Sequence, residues 1–356
     1  MSTIFFAGAG TAGHVEPALA VARWLRENHP EIDSHFIGTS EGVENALVPP
    51  AKFPLHIINK APFPRRLDKD LLTWPWRFRQ TLLQTRELIA KADLVIGFGG
   101  YVAAPVYLTA RRAGIPIVAH EANAKMGMAN KLALRCGALM LGAFGEDSPE
   151  RVGIPMRKEI LELAALDLKA RRSAREVALR AMNLDPDTKT ILVFGGSLGS
   201  MKFNETIAQS QVEISRRGYQ IIHAVGAKNE LPLAQAGYFP LRYIDDMARA
   251  YAASDIVISR SGAVTVTEVG ILGIYSLFVP LPIGNGEQSE NAKVVTAKGG
   301  GELVSNAEFT SNWLLSHIDQ LVMNAEKWRS SGRRMDFPLN ASEEIARRSL
   351  KVLAHE

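Results

Sequence analysis

Short apolar runs rich in β-branched and aromatic residues alternate along this chain with longer stretches whose apolar positions recur every three or four residues. The first pattern suits strands buried on both faces and the second suits helices laid over them, so the chain reads as an α/β protein built on parallel sheet. Strands are expected at residues 3–7, 34–37, 94–96, 117–119, 190–194, 220–224, 256–258 and 276–279. Several run straight into glycine. That puts flexible backbone at the carboxyl ends of strands, where open α/β sheets bind ligands.

A weak internal repeat organises these elements. The strand IFFA leads into Gly8-Ala9-Gly10-Thr11-Ala12-Gly13, and the later strand ILVF into Gly195-Gly196-Ser197-Leu198-Gly199. Each half then carries a second match, ADLVIGFGG at 92–100 and SDIVISRSG at 254–262. Two similar βα domains in tandem follow, residues 1–157 and 158–339, with the boundary near Gly153-Ile154-Pro155-Met156-Arg157. Residues 340–356 read as a terminal helix, opened by Asn340-Ala341-Ser342-Glu343 as a capping box and returning to the first domain.

Two domains also suit the length of 356 residues, at roughly 150 residues per domain. With 41 Lys+Arg against 37 Asp+Glu the net charge is only +4, and no polybasic arm marks a nucleic-acid partner. The single cysteine, Cys136, excludes an internal disulfide framework and a thiolate zinc cluster, and suits a reducing compartment such as the cytoplasm. The start MSTIFFAGAG lacks a basic leader, and no run reaches the ~18 apolar residues of a spanning helix, so membrane contact would be peripheral. Charge is nevertheless concentrated at residues 60–91, where eight basic residues face three acidic ones for a local net of +5. Trp74, Trp76, Arg77, Phe78 and Arg79 lie within it, and Phe78, Leu82 and Ile89 share one face of a helix expected to begin at Pro75. Aromatic and basic residues together suit an anionic lipid surface; packing of that face on the first sheet is the alternative.

Gly8, Gly10 and Gly13 fit G-x-G-x-x-G between a strand and a helix, where backbone N–H groups and the helix N-terminus attract phosphate. One reading is a nicotinamide-dependent oxidoreductase, with Glu41 as the nearest acidic residue for a ribose; another is a tight packing turn. His14 follows the third glycine, where an imidazole kept neutral by the helix N-terminus can act as a base or simply cap the turn. In the second half, Gly195-Gly196-Ser197 offers donors to a diphosphate, and Glu268, behind Arg260-Ser261-Gly262-Ala263, can accept both hydroxyls of a ribose. Arg157 suits a phosphate or a hinge ion pair. No metal site is evident: Asp245-Asp246 reads as a helix cap, and His120, Glu121 and Asn123 lack further zinc ligands and suit sugar recognition.

Taken together, the segments GTAGHVEP (10–17), GFGGY (97–101), HEAN (120–123), GGS (195–197), YIDDM (243–247), RSGA (260–263) with Glu268, and QSENA (288–292) resemble the MurG family of bacterial peptidoglycan glycosyltransferases, glycosyltransferase family 28, over almost the whole chain. The resemblance implies a GT-B fold, two Rossmann-like doubly wound parallel-sheet domains facing a cleft. It implies an inverting, metal-independent hexosyltransferase with no cofactor, moving N-acetylglucosamine from UDP-N-acetylglucosamine to the muramyl 4-hydroxyl of lipid I to give lipid II, at the cytoplasmic face of the cell membrane. By similarity, the Ile244 backbone reads uracil, Glu268 the ribose, Ser197 the diphosphate, and Ala263, Gln288 and Asn123 the sugar. Thr11, Ala12, Gly13 and Arg157 complete the donor pocket. Gly10, Gly99, Gly100 and Tyr101 cradle the acceptor diphosphate, and His14 is the base. Ala12, Leu198 and Ile154 stand where the family more often has glycine, glutamine and asparagine. An oxidoreductase, a sugar-nucleotide epimerase and a non-catalytic nucleotide-sugar sensor are the rival readings.

Overall fold

The computed structural model describes residues 2–61, 69–144, 150–196, 199–282 and 285–354. The chain divides into two compact units, 1–157 with 338–356, and 158–337. The first holds a six-stranded parallel sheet of β1 (Ser2–Gly8), β2 (Ile32–Gly38), β3 (Leu55–Ile57), β4 (Leu94–Gly99), β5 (Ile117–Glu121) and β6 (Leu139–Gly142), in the order β3-β2-β1-β4-β5-β6. The second holds β7 (Lys189–Phe194), β8 (Tyr219–Ala224), β9 (Tyr238–Leu241), β10 (Ile256–Ser259), β11 (Tyr275–Phe278) and β12 (Gly301–Leu303), in the order β9-β8-β7-β10-β11-β12. Both are the doubly wound order in which connections reverse direction at the middle of the sheet, the expected fold class.

All eight strands expected from the sequence are present, and they are the eight interior ones. The four edge strands, β3, β6, β9 and β12, were not expected. They are three or four residues long and partly exposed, so they lack the apolar run that marks a strand covered on both faces. Along β1, Ile4 and Phe6 enter one core with Phe36, Ile96 and Val118, while Phe5 and Ala7 enter the other with Val95 and Ala119, as the two-residue period of a strand requires.

The internal repeat falls at the switch point of each sheet, and its aspartates dock the two central strands. Asp93, ahead of β4, accepts the Thr3 N–H of β1 at 2.8 Å and donates its own N–H to the Thr3 carbonyl at 2.9 Å. Asp255, ahead of β10, makes the same two bonds to Thr190 of β7, both at 2.8 Å. Asp255 is also buried between Arg175 at 2.9 Å and Arg329 at 2.5 Å.

The terminal helix Ala341–Leu353 contributes Ile345 and Ala346 to the same core as Ile4 and Phe6 of the first unit. The capping box does not form: Asn340 is the N-cap, but its side chain makes no capping hydrogen bond. Glu343 pairs instead with Arg347 at 2.7 Å, one turn along the helix.

Because among the described residues Asp255 carries two guanidinium partners and Asp93 none, equal substitutions should have unequal effects. Asp255→Ala should destabilise its unit by about 3 kcal/mol, as for a broken buried ion pair, and Asp93→Ala by about 1 kcal/mol, as for one hydrogen bond. Urea melts should show the larger midpoint shift for Asp255→Ala; equal shifts would contradict this.

Candidate active site

In the first unit two glycine-rich turns meet at the switch point. The turn after β1 enters the helix Ala12–Asn28 through Thr11, whose extended backbone (φ −139°) makes it the N-cap. Gly10 has φ +93°, a left-handed conformation that side chains resist. The turn after β4 contains Gly99 (φ +87°) and Gly100 (φ +82°), and a Cβ on Gly100 would lie 2.6 Å from the Ala9 carbonyl oxygen. The two turns therefore rest on each other through bare backbone. Gly97 is required for another reason: the Tyr107 hydroxyl occupies the space of its missing side chain.

His14 lies between the two turns. Its Nδ1 is 3.3 Å from the Ala9 carbonyl oxygen and 3.2 Å from Thr11 Oγ1. A carbonyl can only accept, which assigns the proton to Nδ1 and leaves Nε2 with its lone pair, beside Gly99. Burial holds the His14 pKa below its ordinary value, opposed by the Ala9 carbonyl and by the charges of Glu121 and Glu44. The ring is thus neutral at neutral pH.

Both carboxylates are buried and both bind backbone N–H groups. Glu44 accepts from Gly10 N at 3.0 Å and Thr39 N at 2.8 Å. Glu121 accepts from Asn123 N at 2.9 Å and Gly127 N at 2.8 Å, and from the side chains of Asn123 and Asn130, both at 3.0 Å. Asn130 also accepts the Tyr107 hydroxyl at 3.2 Å, which links Asn123 to β4 at Gly97. Tyr101 is held through its hydroxyl, 2.9 Å from Thr39 Oγ1. His120 bonds the Gly153 carbonyl through Nε2 at 2.7 Å, and burial keeps it neutral. Arg157 is the half-buried last residue of that segment of the unit.

Two candidates have partners of their own here. The Gly10 N–H is engaged by Glu44. Glu41, the ribose candidate of the oxidoreductase reading, is exposed and paired with Lys60 at 3.2 Å.

In the second unit the turn after β7 passes Gly195 and Gly196 to Ser200, N-cap of the helix Met201–Arg216. Ser197 and Leu198 lie outside the described residues. Arg260, after β10, ties three segments together: it donates to Ser200 Oγ at 2.9 Å and to the carbonyls of Val279 and Pro280 at 2.9 and 3.2 Å, with its guanidinium 4.7 Å over the Phe203 ring. Gly262 is the N-cap of the helix Ala263–Leu272. Neither its φ of −62° nor any atom within 4 Å of a Cβ demands glycine there. Glu268, buried in that helix, accepts the Tyr251 hydroxyl at 2.9 Å. Ala263 is buried in the first turn of the same helix, and Ile244 is buried just ahead of the helix Met247–Ala253, which Asp246 caps by accepting from Arg249 N at 2.8 Å. Gln288 accepts from Leu281 N at 2.9 Å, and Asn291 donates to the Ser261 carbonyl at 3.2 Å. Among the described residues no group of three His, Cys, Asp or Glu could hold a metal ion.

The basic segment forms the helix Lys69–Leu88, which starts six residues before Pro75 and continues through it; residues 62–68 lie outside the described residues. Its inner side is held by buried Thr81 and Thr85, with Ile89 just beyond. Ile89 in the core turns the expected lipid face inward, and Trp74 is stacked on Phe78 at 4.8 Å with its indole N–H on the Ala61 carbonyl. The outward apolar residues are Leu72 (83% exposed), Trp76 (62%) and Leu83 (51%), with Arg79 over the Trp76 ring at 5.8 Å and Arg77 half-buried. Among the described residues no helix is long and apolar enough to cross a membrane.

Sequence reasoning missed Glu44, Asn130 and the bridging role of Arg260. Glu44 left a trace: at Gly38 and at Gly42 a Cβ would run into its side chain.

Comparison with known proteins places the chain in a family. The N-terminal domain model of glycosyltransferase family 28 matches residues 4–138 and the C-terminal domain model matches residues 190–347. A UDP-N-acetylglucosamine–N-acetylmuramyl-(pentapeptide) pyrophosphoryl-undecaprenol N-acetylglucosamine transferase of Corynebacterium glutamicum strain R is 45% identical over 331 residues, 92% of this chain and 91% of its own. The transferase of the same name from Streptomyces coelicolor is 45% identical over 88% of each chain. The crystal structure of Acinetobacter baumannii MurG superposes with a TM-score of 0.70 at 29% identity, over 99% of this chain and 100% of that one. Neither the oxidoreductase nor the sensor reading is supported by these relatives. Two parallel sheets of one topology, each with its glycine-rich turns at the switch point, and matches to both family domains together show that this chain belongs to glycosyltransferase family 28.

Proposed function

We propose that the chain transfers N-acetylglucosamine from UDP-N-acetylglucosamine to the muramyl 4-hydroxyl of lipid I, forming lipid II, and that the residues above divide the work between the two units. The near full-length likeness to transferases of that name carries the reaction. The second unit takes the donor. Glu268 accepts the ribose hydroxyls, the Ile244 backbone reads the uracil, and Ala263, Gln288 and Asn123 contact the sugar. Gly262, glycine without a steric reason, leaves the helix N-terminus bare for the diphosphate, to which Ser197, outside the described residues, is also assigned. Thr11, Ala12, Gly13 and Arg157 complete the donor contacts.

The first unit takes the acceptor, with its diphosphate on the turn of Gly99, Gly100 and Tyr101. His14 Nε2 accepts the proton of the 4-hydroxyl as its oxygen attacks the anomeric carbon from the face opposite UDP. The bond from that carbon to the UDP oxygen breaks, the sugar is inverted to a β-linkage, and the electron pair leaves with UDP. Arg260, whose partners are a hydroxyl and two carbonyls, supplies a positive charge near the leaving diphosphate, together with fixed backbone dipoles. Lipid I cannot leave the bilayer. The exposed face of Leu72, Trp76 and Leu83, flanked by Arg79, therefore docks the enzyme peripherally on anionic lipid at the cytoplasmic side.

The reaction is tested by incubating the protein with UDP-N-acetylglucosamine, with and without a lipid I analogue. UDP release should require the acceptor; acceptor-independent binding without turnover would favour a sensor.

Glu268→Ala should weaken UDP binding by about 1.5–3 kcal/mol, the range for hydrogen bonds to a charged group, and calorimetry showing wild-type affinity in the folded variant would remove Glu268 from the site. His14→Ala should lower kcat by about 10²-fold or more at nearly unchanged donor affinity. Because the His14 pKa is held down, protonation disables the base only below its ordinary value of 6.5, so the acidic limb of the kcat profile should have its midpoint under that value. A limb at or above it would argue for another group. Leu72→Ser, Trp76→Ser and Leu83→Ser together should reduce co-sedimentation with anionic vesicles at least tenfold, since each buried side chain contributes roughly 1.5–3 kcal/mol. Undiminished sedimentation would put the docking face elsewhere.

A further inference from the structure

We propose that Glu44 is a positioning residue for the transfer step: its buried carboxylate fixes the turn from Gly8 to Thr11 and through that turn sets His14 as the base. The inference rests on the assignment of His14 above. Glu44 lies in a short helix beyond β2, remote in sequence from the turn it holds. One carboxylate oxygen accepts the Gly10 N–H at 3.0 Å, and the other accepts the Thr39 N–H at 2.8 Å and lies 3.2 Å from Thr39 Oγ1.

A carboxylate buried this completely is retained only when its lone pairs are occupied, and here backbone groups occupy them. The chain makes room for it twice: a Cβ on Gly38 or on Gly42 would collide with the Glu44 side chain. The geometry then passes to the base in one step. Gly10 follows Ala9, whose carbonyl holds the His14 Nδ1 proton at 3.3 Å. The same Ala9 carbonyl lies where a Gly100 Cβ would come within 2.6 Å, so a displaced turn would disturb the second glycine turn as well. Thr39 Oγ1 is in turn 2.9 Å from the Tyr101 hydroxyl, which joins Glu44 to the residue that closes that turn.

Glu44 also acts on His14 by charge. Among the described residues, the charges that act on the imidazole are those of Glu44 and Glu121, and each raises its proton affinity against the lowering effect of burial. Removing the charge of Glu44 therefore lowers the His14 pKa further, a change that a purely structural support would not make.

The test compares Glu44→Gln, His14→Ala and the double variant in the complete enzyme, with UDP affinity and thermal melts reporting the fold. Glu44→Gln should reduce kcat at least tenfold with the KM for the donor sugar within twofold of wild type. Its acidic limb should move to lower pH, and the His14 ring followed by nitrogen NMR should titrate at lower pH in step. At saturating acceptor, the double variant should lose no more kcat than His14→Ala alone, because the effect of Glu44 on the transfer step runs through His14. Should Glu44→Gln fail to fold, Gly42→Ala serves instead, since its methyl would drive the carboxylate from the two N–H groups. A folded Glu44 or Gly42 variant within twofold of wild-type kcat, an unmoved His14 titration, or losses that multiply in the double variant would overturn the proposal while leaving the base assignment intact. Full activity of His14→Ala would overturn the base assignment itself, and this inference with it.

Discussion

Four backbone N–H groups at the carboxyl end of the first sheet donate to two buried carboxylates, Gly10 and Thr39 to Glu44 and Asn123 and Gly127 to Glu121. Glycine turns have little conformational preference of their own, and loops of a parallel sheet are exposed to water on at least one side. A buried carboxylate supplies what such turns lack. It is unfavourable away from water unless several donors reach it, so the donors and the carboxylate hold each other in one arrangement. The position of His14, the identity of its bare nitrogen and the stacking of the two glycine turns all follow from that arrangement.

The second unit meets the same requirement with a different group. There the segments after β7, β10 and β11 converge on Arg260, which reaches Ser200 and the carbonyls of Val279 and Pro280. A cation organises the unit assigned to the leaving diphosphate, and carboxylates organise the unit assigned to the base. The signs suit the chemistry. Leaving UDP gains negative charge, which a half-buried guanidinium favours, while the base gains a proton, which nearby carboxylates favour. Both sets of charges are held by hydrogen bonds within their own units, so little reorganisation is needed as the reaction proceeds.

What could be read from the sequence depended on how local its cause was. The interior strands showed because burial on both faces makes short, unbroken apolar runs, and the repeat showed because the same aspartate docks the two central strands in each sheet. Edge strands such as β3 and β12 take their place from their neighbour's backbone, and their side chains carry no such mark. The oxidoreductase reading takes Glu41 as the nearest acidic residue for a ribose, whereas Glu44, three residues on, is the one folded under the first glycine turn; the paired glycines at 38 and 42 record it. The basic helix was legible as amphipathic, but which side faced out was not. Proline at 75 suggested a start that the packing of Thr81, Thr85 and Ile89 overrides, and the exposed face is that of Leu72, Trp76 and Leu83. The role of Arg260 was hidden because its partners are main-chain carbonyls, which any sequence provides.

If buried carboxylates hold the turns in advance of substrate, the amides that they accept from must already be protected in the free enzyme. Amide hydrogen exchange on the ligand-free protein tests this residue by residue. The account predicts that Gly10, Thr39, Asn123 and Gly127 exchange far more slowly than exposed loop amides, and that Gly10 and Thr39 lose protection together when Glu44 is replaced by glutamine. Exchange of these four amides at unprotected rates in the free enzyme, with protection appearing only when substrate binds, would contradict it.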